Sequence, residues 1–145
     1  MIKTSNILII ILTLVFFSQC ITNETEEKNT YNYKDYEKIV TVLDKINFNN
    51  FIKKNKISVV MFYSPNCQRC RDFEPHFTAT TENLNRDTVE IKLAKVNVSE
   101  EPDLAKEFKV ERIPTVLIFN NNDPSNFQEY TGEKTRLKLE RHLRR

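Results

Sequence analysis

The sequence predicts an α/β fold with one sheet flanked by helices, and three observations carry that expectation. Apolar runs of strand length recur at residues 57–63, 89–98 and 115–119. Segments with helix-start signals separate them, and turn-forming residues cluster after the third run. The first run, ISVVMFY, is almost unbroken, as befits a central strand covered on both faces.

The elements follow in order. Residues 39–43 are a short β-branched run, a first strand. Asn47 is a candidate N-cap for a helix over 48–54. After the strand at 57–63, Ser64-Pro65-Asn66 breaks the pattern, and a long helix is expected over 67–84, kinked at Pro75. Residues 89–98 alternate in part, as a strand does. Ser99 is placed to cap a helix over 100–108, with Pro102 and Asp103 tolerated in its first turn. Ile113-Pro114 leads into a strand at 115–119, and 120–126 has the Asn, Asp, Pro and Ser of a turn. A short edge strand at 128–131 and a turn at Gly132 precede a closing helix over 135–144. That helix is expected to turn Leu137, Leu139 and Leu143 mostly inward.

The N-terminus reads as a targeting segment. Lys3 supplies a positive charge, residues 7–17 are apolar apart from Thr13, and Ser18 and Cys20 are small residues at −3 and −1. Residues 1–20 are therefore expected to be a cleaved signal peptide. The 11-residue apolar run is too short to span a bilayer of roughly 30 Å, which leaves no stable membrane span after cleavage. A lipoprotein signal acylated at Cys20 fits less well, because Gln19 is large where a small residue normally stands. Residues 21–36 are polar and without period, a flexible leader to a domain over 37–145. The leader holds one N-glycosylation sequon, Asn23-Glu24-Thr25, a triplet that so Asn-rich a chain also produces by chance.

Composition excludes several functions. Twenty-two basic and 20 acidic residues leave a formal charge of +2, no electrostatic footprint for nucleic acid. A single Gly removes the Gly-rich phosphate loops of nucleotide-binding proteins. Three cysteines are encoded, and cleavage after Cys20 leaves the pair Cys67 and Cys70.

Two cysteines three apart at a helix start carry a definite chemistry. Unpaired backbone N–H groups and the helix dipole favour a thiolate at Cys67, while Cys70 lies one turn deeper. One thiol attacks a disulfide and the other releases the mixed disulfide. Arg69 is a candidate to hold positive charge near Cys67, against the alternative of a solvated side chain. Other readings of the pair stay open. A zinc site lacks ligands, since His76 and His142 are the only histidines, and no metal is expected. A structural disulfide closing so short a loop constrains little of the unfolded chain. Cysteine-protease chemistry needs a base beside the thiol, and neither histidine has a neighbourhood that provides one.

Residues 59–70, VVMFYSPNCQRC, resemble the active-site segment of a catalytic protein disulfide isomerase domain of the thioredoxin superfamily. Phe73-Glu74-Pro75, Leu93 to Asn97, Asp103-Leu104-Ala105, Val110 to Thr115 and Glu129 to Gly132 extend the resemblance in order, over residues 36–143. It implies a thioredoxin fold with a four- to five-stranded mixed sheet, and thiol–disulfide exchange with no cofactor beyond its own disulfide. It also implies a cis-proline at Pro114, which with Ile113 pairs with an extended substrate. The implied partners are secretory client proteins with thiols or disulfides, and an upstream oxidase or retention partner. The implied location is the endoplasmic reticulum lumen or outside the cell, the chain ending in His142-Leu143-Arg144-Arg145 rather than a retrieval signal.

Three departures bear on activity. Asn66 replaces the usual Trp before the first cysteine, and Gln68-Arg69 replaces Gly-His between the two. Met61 stands where the family buries an acid that moves the proton of the inner cysteine, so deprotonation of Cys70 is expected to be slow. Lys134 falls where a family arginine assists that step. A low-turnover chaperone or adaptor of the same fold is the alternative, and a secreted parasite or symbiont effector is a weaker third reading.

Overall fold

The computed structural model describes Tyr36, residues 38–87 and residues 90–145. The expected signal peptide, nearly all of the leader and Cys20 lie outside the described residues. The described elements run β1 (Thr41–Val42), α1 (Phe48–Lys54), β2 (Ile57–Tyr63), α2 (Gln68–Arg86), β3 (Ile91–Asn97), α3 (Pro102–Glu107), β4 (Thr115–Asn120), β5 (Phe127–Glu129) and α4 (Arg136–Leu143). The order is the expected one.

The strands form one mixed five-stranded sheet in the order β1-β3-β2-β4-β5. β3 runs parallel to β1 and β2, whereas β4 runs antiparallel to β2 and β5. β2 sits at the centre, and six of its seven residues are buried, which accounts for its continuous apolar sequence. Successive strand residues point to opposite faces. Val59, Met61 and Tyr63 therefore meet Phe73, Phe77 and Leu139 of α2 and α4 on one face. Val60 and Phe62 meet Phe48 and Ile52 of α1, Leu104 of α3 and Phe108 on the other.

Several boundaries differ for local reasons. Asn47 does not cap α1 with its side chain; its Oδ1 turns back to accept from Asp44 N at 3.0 Å. Ser99 does not cap α3 either, for its hydroxyl bonds that of Ser64 at 3.1 Å. Asn97 O instead takes the N–H groups of Glu100 and Glu101 in a turn, and the helix begins at Pro102, whose fixed φ suits a first position. β5 is three exposed residues, one earlier in start than expected, and Tyr130 N extends its pairing to Val116 O at 2.8 Å. Leu139 is buried in α4 and Leu143 is half-buried, but Leu137 is 62% exposed. Positions 139 and 143 share a helix face, and 137, two residues away, falls on the far side. In the turn after β4, Asn121 and Asn122 have φ of 61° and 60°, the left-handed region that Asn tolerates best among side chains.

Candidate active site

The site forms where β2 ends and α2 begins. Cys67 N donates to Ser64 O at 3.1 Å, closing a turn over Pro65 and Asn66. Cys67 then occupies the N-cap position of α2 in an extended conformation, and its thiol does what a Ser or Asp does at such a place. Cys70 N donates to Cys67 Sγ at 3.3 Å and to Cys67 O at 3.0 Å. Cys67 is half-buried and Cys70 is buried. Both are thiols in this structure.

Burial pushes the Cys70 thiol up to about 12 from an ordinary value of 9.0. Desolvation of a thiolate is the main cause, followed by the hydrogen bond to Cys67; the Ser64 backbone offsets them in part, and the charges of Cys67 and Glu74 add a little. The inner thiol is therefore held protonated.

Cys67 Sγ also faces the Ile113 carbonyl at 3.8 Å, across from the turn that joins α3 to β4. The Ile113–Pro114 peptide bond is cis. Ile113 and Pro114 line a groove of about 570 Å³ together with Arg69, Phe73, His76 and Lys134. Arg112 and Glu129 form an exposed ion pair at 3.5 Å on its rim.

Arg69 is exposed and lines this groove. The residue that ties down the turn before Cys67 is Arg71, which sequence reasoning missed. Its guanidinium donates to Pro65 O at 2.7 Å and to Gln68 Oε1 at 2.5 Å. The signal was available, because Arg71 lies four residues after Cys67 and so on the same helix face. Lys134 is half-buried. Its Nζ donates to Tyr130 O at 3.1 Å and lies 5.1 Å from the centre of the Tyr130 ring. Burial lowers its pKa, with Glu129 opposing and Arg112 assisting.

Met61 is fully buried in the cluster that holds Cys70. A buried acid is nevertheless present nearby, and sequence reasoning passed over it. Glu74, four residues after Cys70 on α2, is 1% exposed, with its Oε1 2.5 Å from Lys95 Nζ on β3. A lysine in the otherwise apolar core of a strand was the sign that a buried carboxylate had to exist. Among the described residues no group of three or more His, Cys, Asp or Glu side chains is placed to hold a metal. No described helix is long and apolar enough to cross a membrane.

A half-buried thiol capping a helix over a buried one, beside a cis-proline at the start of an antiparallel strand, defines a dithiol domain on a thioredoxin fold. Residues 39–145 match the model of the thioredoxin family, and the chain belongs to that family. Within it the chain is like the domains of protein disulfide isomerases. It is 37% identical over 111 residues to a protein disulfide-isomerase of Medicago sativa, 75% of this chain and 21% of that protein. It is 36% identical over 100 residues to protein disulfide isomerase-like 1-4 of Arabidopsis thaliana, 69% of this chain and 16% of that one. Among solved structures, the first thioredoxin domain of mouse protein disulfide-isomerase A4 superposes with a TM-score of 0.63 at 27% identity, covering 71% of each chain. The chain thus spans about a fifth of the length of the curated relatives it matches.

Proposed function

We propose that this domain is a thiol–disulfide oxidoreductase or isomerase acting on folding secretory proteins through Cys67-Gln68-Arg69-Cys70. The observation that carries this reading is the unequal burial of two thiols on one helical turn, with the outer one facing the Ile113 carbonyl. In this reading Cys67 attacks a client disulfide while the client backbone lies along Ile113 and Pro114. Cys70 then displaces the client from the mixed disulfide. Arg69 adds positive charge where the client enters, and Lys134 forms part of the opposite wall. The clients are proteins of the endoplasmic reticulum lumen or the exterior, reoxidation falls to an upstream oxidase, and a retention partner holds the domain in place.

Insulin reduction and refolding of reduced ribonuclease test the reading. Cys67→Ser should abolish both. Cys70→Ser should accumulate clients as mixed disulfides that dithiothreitol releases. Cys67→Ser with full turnover would end the proposal.

The apolar residues Ile113 and Pro114, which line the groove, favour one second reading, a low-turnover adaptor that traps clients through them without exchange. Replacing both cysteines with serine separates the two in cells, since the adaptor keeps its function and the exchanger loses it.

A further inference from the structure

Behind the two thiols lies an ion pair that supplies neither the attacking sulfur of Cys67 nor the releasing sulfur of Cys70. Lys95 and Glu74 are 0% and 1% exposed. Burying two such charges costs several kcal/mol per ion, and an apolar pair of similar volume is often as stable or more so. Packing alone is therefore a weak reason for the pair.

Its position supplies a stronger one. Cys70 and Glu74 are four apart on α2, which sets their side chains on one helix face about 5–6 Å apart at Cβ. Both are buried. Lys95 is paired in register with Met61, which shares the apolar cluster of Cys70. The carboxylate, its ammonium and the inner thiol thus lie between α2 and the same face of the sheet. A thiol held protonated cannot attack, so a reaction at Cys70 needs a base with access to a closed site.

We propose that Glu74, held by Lys95, is the base that takes the Cys70 proton when a mixed disulfide at Cys67 is resolved. The inference rests on the exchange reading above. Cys70 Sγ bonds to Cys67 Sγ as the Cys67–client S–S bond breaks. The client sulfur leaves as a thiolate with the bonding electron pair, and the proton passes to Glu74 directly or through one water. The client sulfur is reduced and Cys70 is oxidised. In the reverse direction Glu74 returns the proton to the departing Cys70. Lys95 is a positioning residue, whose ammonium holds the carboxylate at 2.5 Å.

Among the described residues, the ionisable groups around Cys70 are few. Cys67 and Glu74 lie on its own segment, Lys95 comes from β3, and Tyr63 of β2 lies with its ring 5.1 Å from Lys95 Nζ. α4 contributes Leu139 and Leu143 to the apolar cluster that holds Cys70.

Reduced full chain mixed with oxidised glutathione, acid-quenched over time and weighed by mass spectrometry, separates capture at Cys67 from resolution by Cys70. For Glu74→Gln the ratio of resolution to capture should fall about a hundredfold at pH 7, within the usual worth of a general base. Resolution should then rise about tenfold per pH unit, following the ionisation of Cys70 itself. Adding Met61→Glu to Glu74→Gln, which returns a carboxylate beside Lys95, should recover at least tenfold. Glu74→Gln leaves Lys95 without its counter-charge, so the doubly neutral Glu74→Gln/Lys95→Met is the decisive protein if the single variant misfolds. A folded double variant with the wild-type ratio and pH profile overturns the inference alone. Failure of Cys70→Ser to capture glutathione overturns the exchange reading, and this inference with it.

Discussion

The two faces of the sheet are built from alternate residues of the same strands, yet they do different things. On the α1–α3 face, Phe48, Phe62, Phe108 and Phe119 close into a ring cluster, with Phe48 and Phe108 centroids 4.9 Å apart and Phe48 and Phe119 edge-on at 5.6 Å. That face also buries the hydroxyl residues Ser58 and Thr115, but among the described residues no ionisable one. The α2–α4 face is just as closed, but it takes in a thiol, a carboxylate and an ammonium. Rotating β2 by one residue would exchange the two environments. Register therefore decides that Met61, not Phe62, shares the buried cluster of Cys70. On the exchange reading, the contrast assigns stability to one face and chemistry to the other, and each assignment can be broken separately.

The largest expected effect lies on the aromatic face. Phe48→Ala removes a fully buried ring in contact with three others and should cost about 3–5 kcal/mol. Urea unfolding measures the loss. The folded fraction should keep its ratio of glutathione resolution to capture within about twofold, because no group of the reactive face is touched. A large change in that ratio would show that the faces are coupled through the strands.

A smaller effect is expected at the edge of the reactive face. Gly132 is the only glycine, and its φ is not positive, so backbone freedom does not explain it. A Cβ there would lie 2.5 Å from Tyr130 Oη and 2.6 Å from the carbon that bears it. Tyr130 is buried, and its hydroxyl donates to Glu133 O at 2.9 Å while Lys134 covers its ring. Gly132→Ala should cost about 1–3 kcal/mol as the ring is pushed off that bond. Insulin reduction should fall as well, since Lys134 lines the groove beside Ile113 and Pro114. Loss of stability with no loss of insulin turnover would detach Lys134 from client binding.

These outcomes bear on how much was legible in the chain itself. Element order was readable because long apolar runs and turn residues act locally, whereas the mixed sheet of four to five strands was implied by the family resemblance. The start of α3 was misjudged because Ser99 finds Ser64, a partner 35 residues away, and no local rule supplies it. Leu137 faces outward because it lies two residues from Leu139, on the far side of the helix. The pair Cys67 and Cys70 was plain from spacing and helix position. Glu74 was not, because a charged residue on a long helix is ordinarily solvated and only the fold brings Lys95 over it. The acid missing at Met61 thus looked like a loss from sequence, while the structure carries a buried carboxylate from the neighbouring helix.

The smallest expected effect sharpens the comparison most, because only one face contains its cause. The folded state holds Cys70 protonated up to about 12, whereas an unfolded thiol ionises near 9.0. Between those values the native chain binds a proton that the unfolded chain has lost. Stability is then fully present below about pH 9 and declines as pH rises toward 12, by at most about 1.4 kcal/mol per unit. Tyr130, raised by burial, adds a decline of the same sign above pH 10. Urea midpoints of the reduced protein at pH 8, 9 and 10 should fall more steeply for wild type than for Cys70→Ala, and the gap should widen with pH. Phe48→Ala should start lower and keep the wild-type slope. If Cys70→Ala loses stability in parallel with wild type, the inner thiol ionises as freely in the fold as outside it. The reactive face would then need no hidden base.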